Sequence, residues 1–195
     1  MNDSRLLDCS SVAEIEANLL RMIALIDSKM EATKILWWTP VNAATATGTL
    51  TVDTLPTAGD SMTIGTEVYV FMAAVDADTD GEIPIGADLA TTQASIKAAI
   101  NGTDGINAAH PVVTCSDFAA NVATITAKAV GPAGNVATTE TFQSITNVFG
   151  AASLEGGMNG TVGTEGQIMI DANKIYVCTA DNTITDANWK SAALT

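Results

Sequence analysis

The sequence predicts an α+β protein that is mainly β: an N-terminal amphipathic helix, a small β-sheet or sandwich module with one short helix, and a C-terminal β-hairpin tail. Three observations predict this class. A capped apolar stripe with helical spacing opens the chain, short stretches then alternate apolar with polar residues, and glycine-containing turns separate those stretches. We therefore expect three segments, at residues 1–40, 41–155 and 156–195.

The first segment has the start signal and the spacing of a helix. Ser11 and Glu14 form a capping box, in which the hydroxyl and the carboxylate each accept a backbone amide at the helix start. The stripe that follows advances in steps of three and four residues through Val12, Ile15, Leu19, Met22 and Ile26. An exposed stripe of this kind has to be buried, either against the chain's own β-module or in a short trimeric bundle or a docking contact with another protein.

The end of this helix is marked by Pro40, because the residue before a proline disfavours helical geometry. Trp37 and Trp38 precede it and point to different sides. At least one indole is expected in a subunit interface, where large aromatic side chains contribute most; the alternative is that both cover the base of the module. The interface prediction thus comprises the stripe together with both tryptophans.

The middle segment alternates as strands do. Residues 47–52 form one such stretch, and Met62, Ile64, Val68 and Val70 predict two more strands joined by a tight turn at 64–67. A helix is expected at 89–101, with an apolar face of Leu89, Ile96, Ala99 and Ile100 and a stop at Gly102. Further strands are predicted at 111–115 and 121–128, followed by turn chemistry at 131–135.

The last segment begins at the glycines of 155–160, which predict a flexible or sharply bent linker. A hairpin is expected over 166–178 with its bend at 171–174, and a final strand over 188–194. About 35 residues rarely make a stable core alone, so this tail should pack on the module or on copies of itself.

Composition limits the functions that fit. The 195-residue chain has 22 acidic against 8 basic residues, a formal charge of −14, and this argues against binding nucleic acid or an anionic membrane through a basic face. Three widely spaced cysteines, Cys9, Cys115 and Cys178, indicate neither a disulfide framework nor a zinc site. Without a long apolar run or a secretion signal, we expect a soluble protein made in the cytoplasm.

Several separated stretches resemble one known module. Residues 45–55, 59–71 and 125–135, together with the short helix before Asn101 and the His110-Pro111 pair, resemble in order a β-rich module of tailed-bacteriophage virion proteins. The end of the chain is similar to a short β-tail of phage fibre and virion proteins at 175–178 and 188–190, although the insertion at 184–187 departs from it. The resemblance implies a structural virion component and leaves head, neck, tail or fibre open.

One acidic loop copies the start of a calcium-binding loop. Asp76, Asp78 and Asp80 alternate, and Gly81 occupies the sixth position. The twelfth position is Ala87, where a bidentate glutamate would be needed. A solvated turn is therefore the expectation, with these three aspartates kept as a weak candidate for a cation and no metal or cofactor otherwise expected.

Catalytic motifs are not evident in the sequence. His110 is the single histidine, and a role in fixing the start of a strand is the expectation for it. His110, Ser116 and Asp117 are neighbours along the chain rather than residues brought together by a fold, and no nucleophile elbow or phosphate loop is present. The prediction is that the protein is not an enzyme.

The leading functional hypothesis is a capsid decoration or head-fibre subunit of a tailed phage. It would form a homo-oligomer, most simply a trimer, bind the major capsid protein or other virion proteins, and be assembled into virions in the host cytoplasm. One alternative is a tail, collar or baseplate fibre component. A further alternative, from a different class, is a host-surface binding module that uses the acidic loop with calcium.

Overall fold

The computed structural model describes residues 39–73, 77–171 and 173–193. This part of the chain is α+β and mainly β, as the sequence predicts, with small sheets and one α-helix. The predicted N-terminal helix and its interface residues, Val12, Ile15, Leu19, Met22, Ile26, Trp37 and Trp38, lie outside the described residues, as does Asp76. The three predicted segments at 1–40, 41–155 and 156–195 stay a prediction.

The described strands form three sheets. Their bounds are β1 Thr45–Thr51, β2 Ser61–Ile64, β3 Glu67–Ala73, β4 Glu82–Ile85, β5 Val113–Cys115, β6 Val122–Val130, β7 Thr138–Glu140, β8 Val148–Phe149, β9 Ile168–Ile170, β10 Lys174–Cys178 and β11 Trp189–Ala193. Helix α1 spans Leu89–Asn101, and a 3-10 helix spans Pro132–Gly134. The sheet orders are β5-β6-β1-β8, β4-β3-β2-β7 and β11-β10-β9.

Strands β1 and β6 are the two central strands of the first sheet. The two strands are antiparallel, with Leu50 opposite Ala123 and Gly48 opposite Ile125. The alternation of β6 turns Ala123, Ile125 and Ala127 inward, and all three are buried. A Cβ at Gly48 would lie 2.5 Å from the Cδ2 atom of Leu154, so a larger residue there would displace the tip of this buried leucine.

The β2–β3 hairpin corrects one detail of the sequence prediction. The tight turn is present, with Gly65 at φ 62°, and it sets Ile64 opposite Glu67 and Met62 opposite Tyr69. Directly paired residues share a face, so Tyr69 and Phe71 are the inward residues of β3. Val68, one of the apolar residues whose alternation predicts this strand, is instead 51% exposed. The turn, and not the apolar pattern, decides the register.

Helix α1 has the predicted bounds and the predicted stop. Asp88 caps its start by accepting the Thr91 amide at 2.7 Å, and Gly102 ends it in the left-handed conformation at φ 65°. Ile96, Ala99 and Ile100 are fully buried beneath it.

Both four-stranded sheets and α1 contribute to one apolar core. Its eighteen buried members are Ala46, Leu50, Val52, Met62, Ile64, Tyr69, Phe71, Ile83, Ile96, Ala99, Ile100, Val113, Cys115, Ala123, Ile125, Ala127, Phe149 and Leu154. Phe71 also packs against Phe142, with ring centroids 5.4 Å apart. We call the part of the chain that builds this core, residues 45–155, the β-module.

The segment that was predicted as a linker lies along the start of β1. Glu155 pairs with Thr47, and Met158 pairs with Ala44. A Cβ on Gly157 would lie 2.5 Å from the Gly131 carbonyl oxygen, so this glycine serves close packing of two backbones.

Strands β9 to β11, which we call the C-terminal sheet, have a small core of their own. Tyr176, Cys178 and Trp189 are buried, with Met169 packed against them. Trp189 also donates its indole N–H to the Thr161 carbonyl at 2.7 Å. The predicted hairpin and its bend are present, because the Asp171 carboxylate accepts the amides of Asn173 and Lys174, both at 2.7 Å.

Candidate functional site

The carboxylates of the acidic loop bond to the chain's own amides. Glu82 Oε2 accepts the amides of Asp78 at 2.9 Å and Thr79 at 3.1 Å. Asp80 Oδ1 accepts the amide of Ala108 at 3.0 Å. These bonds are those of an ordered turn. Asp78 and Asp80 remain the described members of the weak cation candidate, whose third member, Asp76, is outside the described residues.

A buried asparagine fixes the same loop from below. Asn107 Oδ1 accepts the Gly81 amide at 2.7 Å, and its Nδ2 donates to the Glu82 carbonyl at 2.8 Å and to Asp104 Oδ2 at 2.7 Å. Partial burial of Asp104 would raise its pKa, but the hydrogen bonds from the Asn107 amide and side chain outweigh it and the pKa is lowered. The loop is held as one hydrogen-bonded unit.

His110 has the structural role that the sequence predicts. The ring is buried, and its Nδ1 lies 3.1 Å from the amides of both Val112 and Val113, which donate to it. The proton is therefore on Nε2, which donates to the Ile64 carbonyl at 3.1 Å. Both ring nitrogens are used, and the histidine ties the entry of β5 to the end of β2.

A small pocket lies next to this histidine. Its volume is about 170 Å³, and Glu67, Tyr69, Asp80 and His110 are among the residues that line it. Burial raises the pKa of the Tyr69 phenol, and the nearby carboxylates of Glu67 and Asp80 raise it further. The phenol therefore stays neutral. The pocket is smaller than the roughly 300–1,000 Å³ of usual small-molecule sites. It offers a phenol and two carboxylates but no free imidazole nitrogen.

Ser116 and Asp117 are not oriented toward His110. The Ser116 hydroxyl accepts the Thr124 amide and donates to the Asp117 carbonyl. The Asp117 carboxylate forms an ion pair with Lys97 of α1 at 2.5 Å. These residues close the β5–β6 connection instead of forming a nucleophile with its base.

The two described cysteines are buried thiols, one in each apolar core. Burial raises the pKa of Cys115 to about 12, so little of it is thiolate at neutral pH. Cys178 is fully buried against Trp189 in the C-terminal sheet.

The described residues contain neither a cluster of metal ligands nor a membrane-spanning helix. No three His, Cys, Asp or Glu side chains among them are grouped so as to hold a metal ion. Within the same ranges, no helix has the length and the apolar character needed to cross a membrane.

Sequence reasoning missed an apolar surface on the C-terminal sheet. Ile170 is opposite Ile175 and Ile168 is opposite Val177, so these four side chains share the face that points away from the Tyr176 cluster. We call this the outer face; Lys190 and Ala192 of β11 complete it. Its signal in the sequence is that β9 and β10 are apolar at successive positions and not only at alternate ones.

Comparisons of the chain with protein-family models, with curated proteins and with solved structures gave no match.

Proposed function

We propose that this protein is a structural component of a tailed-phage virion, a capsid decoration or head-fibre subunit that assembles as a homo-oligomer, most simply a trimer, on the major capsid protein or other virion proteins. One observation carries the proposal. The separated stretches that resemble the virion module supply twelve of the eighteen buried core residues of the β-module, so the resemblance falls on parts of the chain that fold around one core.

The agreement holds for individual polar residues. Asp60, in the second resembling stretch, is 3% exposed, and its carboxylate accepts the Thr57 amide at 2.8 Å while its own carbonyl accepts the Phe71 amide at 2.8 Å. The Asp60 side chain thus closes the turn that leads into the β2–β3 hairpin. His110, from the His-Pro pair, bonds to the carbonyl at the end of β2.

The glycines of the third stretch also have specific roles. Gly131 adopts φ 102°, which side-chain-bearing residues rarely reach. A Cβ on Gly134 would lie 2.7 Å from the Ala127 Cβ, so the 3-10 turn can pack against β6 only with glycine there. The residues shared with the virion-module pattern thus stabilise the fold and do not form a catalytic site. This is what we expect of a structural subunit that is present in many copies.

Electrostatics favours assembly through apolar contacts. The chain carries a formal charge of −14, and among the described residues Lys97 with Asp117 is the one ion pair. A strongly acidic surface repels nucleic acid and keeps free copies apart in solution. Stable association therefore requires apolar patches, such as the predicted Val12 to Ile26 stripe.

Labelling intact particles with an antibody to this chain tests the proposal. Label on the head supports a decoration or head-fibre role, and label on the tail, collar or baseplate supports the alternative virion role. Absence of the chain from purified mature particles would contradict both.

A binding experiment addresses the capsid directly. Particles grown without the chain are incubated with the purified protein and sedimented. We expect Leu19→Asp to abolish co-sedimentation, because a charge in an apolar interface is costly. The matched control is Val68→Asp, at a 51% exposed position outside the stripe, which should bind like the unchanged protein.

A further inference from the structure

We propose that the small pocket next to the buried histidine binds a primary ammonium group through three side chains, Glu67, Tyr69 and Asp80. The ammonium group would belong either to a small aliphatic amine or to a lysine side chain of a neighbouring protein. This ligand site goes beyond the proposed function and does not depend on it.

The hydroxyl of Tyr69 is the observation that points to a ligand. The residue is 4% exposed, yet no described residue forms a hydrogen bond with its hydroxyl. Within the described ranges, every fully enclosed side-chain nitrogen or oxygen has a hydrogen-bond partner. The hydroxyl therefore has to reach open space, and the space that Tyr69 lines is this pocket. Because a buried tyrosine hydroxyl normally has a partner, this one is available to a ligand.

Two carboxylates without a counter-ion line the same pocket. Asp80 Oδ1 accepts the amide of Ala108, another residue of the pocket wall, at 3.0 Å, and its second oxygen has no partner in the described part of the chain. Neither Asp80 nor Glu67 forms an ion pair with a described basic side chain. Lys128 donates to the His110 carbonyl at 2.5 Å and lines a different pocket. The site thus has negative charge that only a cation from outside can balance.

The phenol and the carboxylates lie close enough to influence one another. Burial raises the pKa of Tyr69, and the charges of Glu67 and Asp80 raise it further. A neutral phenol both donates and accepts a hydrogen bond. Its oxygen can therefore accept an N–H from a ligand while its proton is directed to a carboxylate.

This set of acceptors fits an ammonium group better than a metal ion or an anion. An alkylammonium group presents three N–H donors on a single positive charge, one donor for each of the three side chains. Calcium takes about six to eight oxygen ligands, and the described residues group no three carboxylate, histidine or cysteine side chains that could begin such a shell. An anion would be repelled by both carboxylates.

The size of the pocket limits the ligand to the tip of a chain. A volume of about 170 Å³ admits an ammonium group with a short aliphatic stem. Val68 and Pro111 are also in the pocket wall and offer apolar contact to such a stem. A larger charged molecule would stay mostly outside.

The pocket wall is fixed before a ligand binds. The Gly81 carbonyl accepts the Val70 amide at 2.7 Å, and a Cβ on Gly81 would lie 3.0 Å from the Val68 carbonyl oxygen, so glycine lets the acidic loop close against β3. Elsewhere in the wall, the His110 ring stacks beside Tyr69 with ring centroids 6.4 Å apart. A site that is already ordered loses little conformational entropy on binding.

A nuclear magnetic resonance titration of the full chain tests the inference. We expect n-butylammonium chloride to shift the amide signals of Gly81, Ala108 and Ala109 with a Kd of about 1–10 mM, as suits a ligand of few atoms. Tetramethylammonium chloride carries the same charge without N–H donors and is the matched control. Its effect on these signals should be at least about tenfold weaker, because it cannot donate to the three acceptors.

Two variants locate the binding. Tyr69→Phe removes the hydroxyl and keeps the ring, and Glu67→Gln removes one charge at an exposed position, so both should fold. Each should weaken n-butylammonium binding by about tenfold. Glu165→Gln removes the same charge from an exposed position outside the pocket and should leave the affinity unchanged. Amide spectra without amine check that each variant is folded.

A capped peptide with one lysine among glycines and serines separates the two sources of the ammonium group. Shifts of the same signals at a comparable or lower peptide concentration assign the pocket to a lysine of a neighbouring protein. A response to n-butylammonium but not to the peptide assigns it to a small amine. Either result supports the ammonium site.

The inference would be overturned by the absence of a saturable shift at about 50 mM n-butylammonium. Unchanged affinity in both Tyr69→Phe and Glu67→Gln would also overturn it, as would saturation of the same signals by calcium at a lower concentration than the amine. Failure of this site leaves the proposed virion role standing if the chain is found in particles. Absence from particles, with amine binding intact, removes the virion role alone.

Discussion

The β-module and the C-terminal sheet bury apolar side chains to very different extents. The module has eighteen buried residues in one cluster, and the C-terminal sheet has three. Conversely, six of the eleven large apolar side chains that are exposed among the described residues follow residue 155: Met158, Val162, Ile168, Ile170, Val177 and Ile184. A β-module with its own core can fold alone, whereas a thin three-stranded sheet depends on additional contacts.

The two regions also differ in what holds their loops. In the module, buried Asn107 and His110 supplement a large core. In the C-terminal region, the buried side chain of Asn182 contributes a larger share of the loop stabilisation, because the apolar core there is small. Its Nδ2 donates to the Thr161 carbonyl at 2.6 Å, and its Oδ1 accepts the Asn188 amide at 2.8 Å. Polar bonds contribute less per contact than burial of large apolar side chains, so we expect the sheet to open first.

The largest effect should come from the module core. Phe71→Ala removes a fully buried ring and should lower the free energy of unfolding by about 3–5 kcal/mol, measured by urea denaturation. Val68→Ala, three residues earlier on the same strand and 51% exposed, should change it by less than about 0.5 kcal/mol. Equal effects would mean that the register of the β2–β3 hairpin is wrong.

An intermediate effect should follow from loosening the C-terminal sheet. Asn182→Ala leaves the Asn188 amide without its partner and removes one of the two hydrogen bonds to the Thr161 carbonyl, at a cost of about 1–3 kcal/mol. Hydrogen exchange should rise in β9 to β11 and stay unchanged in α1. The control is Asn173→Ala, at an exposed asparagine between β9 and β10. Faster exchange throughout the chain would show that the two regions unfold together.

The smallest effect should be the response of the bend at Asp171 to low pH. Hydrogen bonds from the Asn173 amide and then from the Tyr176 hydroxyl lower the pKa of Asp171 below its ordinary 3.8. A lowered folded-state pKa means that this carboxylate stabilises the bend above pH 3.8 and stops doing so as the pH falls through the lowered pKa. In nuclear magnetic resonance spectra, β9 and β10 should shift in acid in the unchanged protein and shift less in Asp171→Asn, whose amide oxygen still accepts both backbone bonds. Identical shifts in the two proteins would contradict this assignment.

How far the sequence predicts this fold depends on how local each signal is. Helix α1 and the bend at Asp171 are determined by neighbouring residues, a cap or a turn, and both were predicted correctly. The inward face of β3 was not, because register depends on the turn geometry at Gly65. The glycines at 156–157 indicated flexibility, yet Gly157 packs against the distant Gly131 carbonyl, which no local pattern reveals.

The candidate surfaces follow the same rule. The use of both nitrogens of His110 fits its expected structural role, since a strand entrance is a local feature. The outer face was missed because β9 and β10 are apolar on both sides, and only the fold decides which side segment 161–163 covers.

The most direct measurement uses the two buried thiols, one in each region. In a Cys9→Ser background, alkylation of Cys115 and Cys178 is followed by mass spectrometry at increasing protein concentration. We expect Cys178 to react faster than Cys115 at every concentration, because the thin C-terminal sheet should open more often than the module with its larger core. Equal rates for the two thiols would contradict the claim that the module is self-sufficient and that the C-terminal sheet opens first.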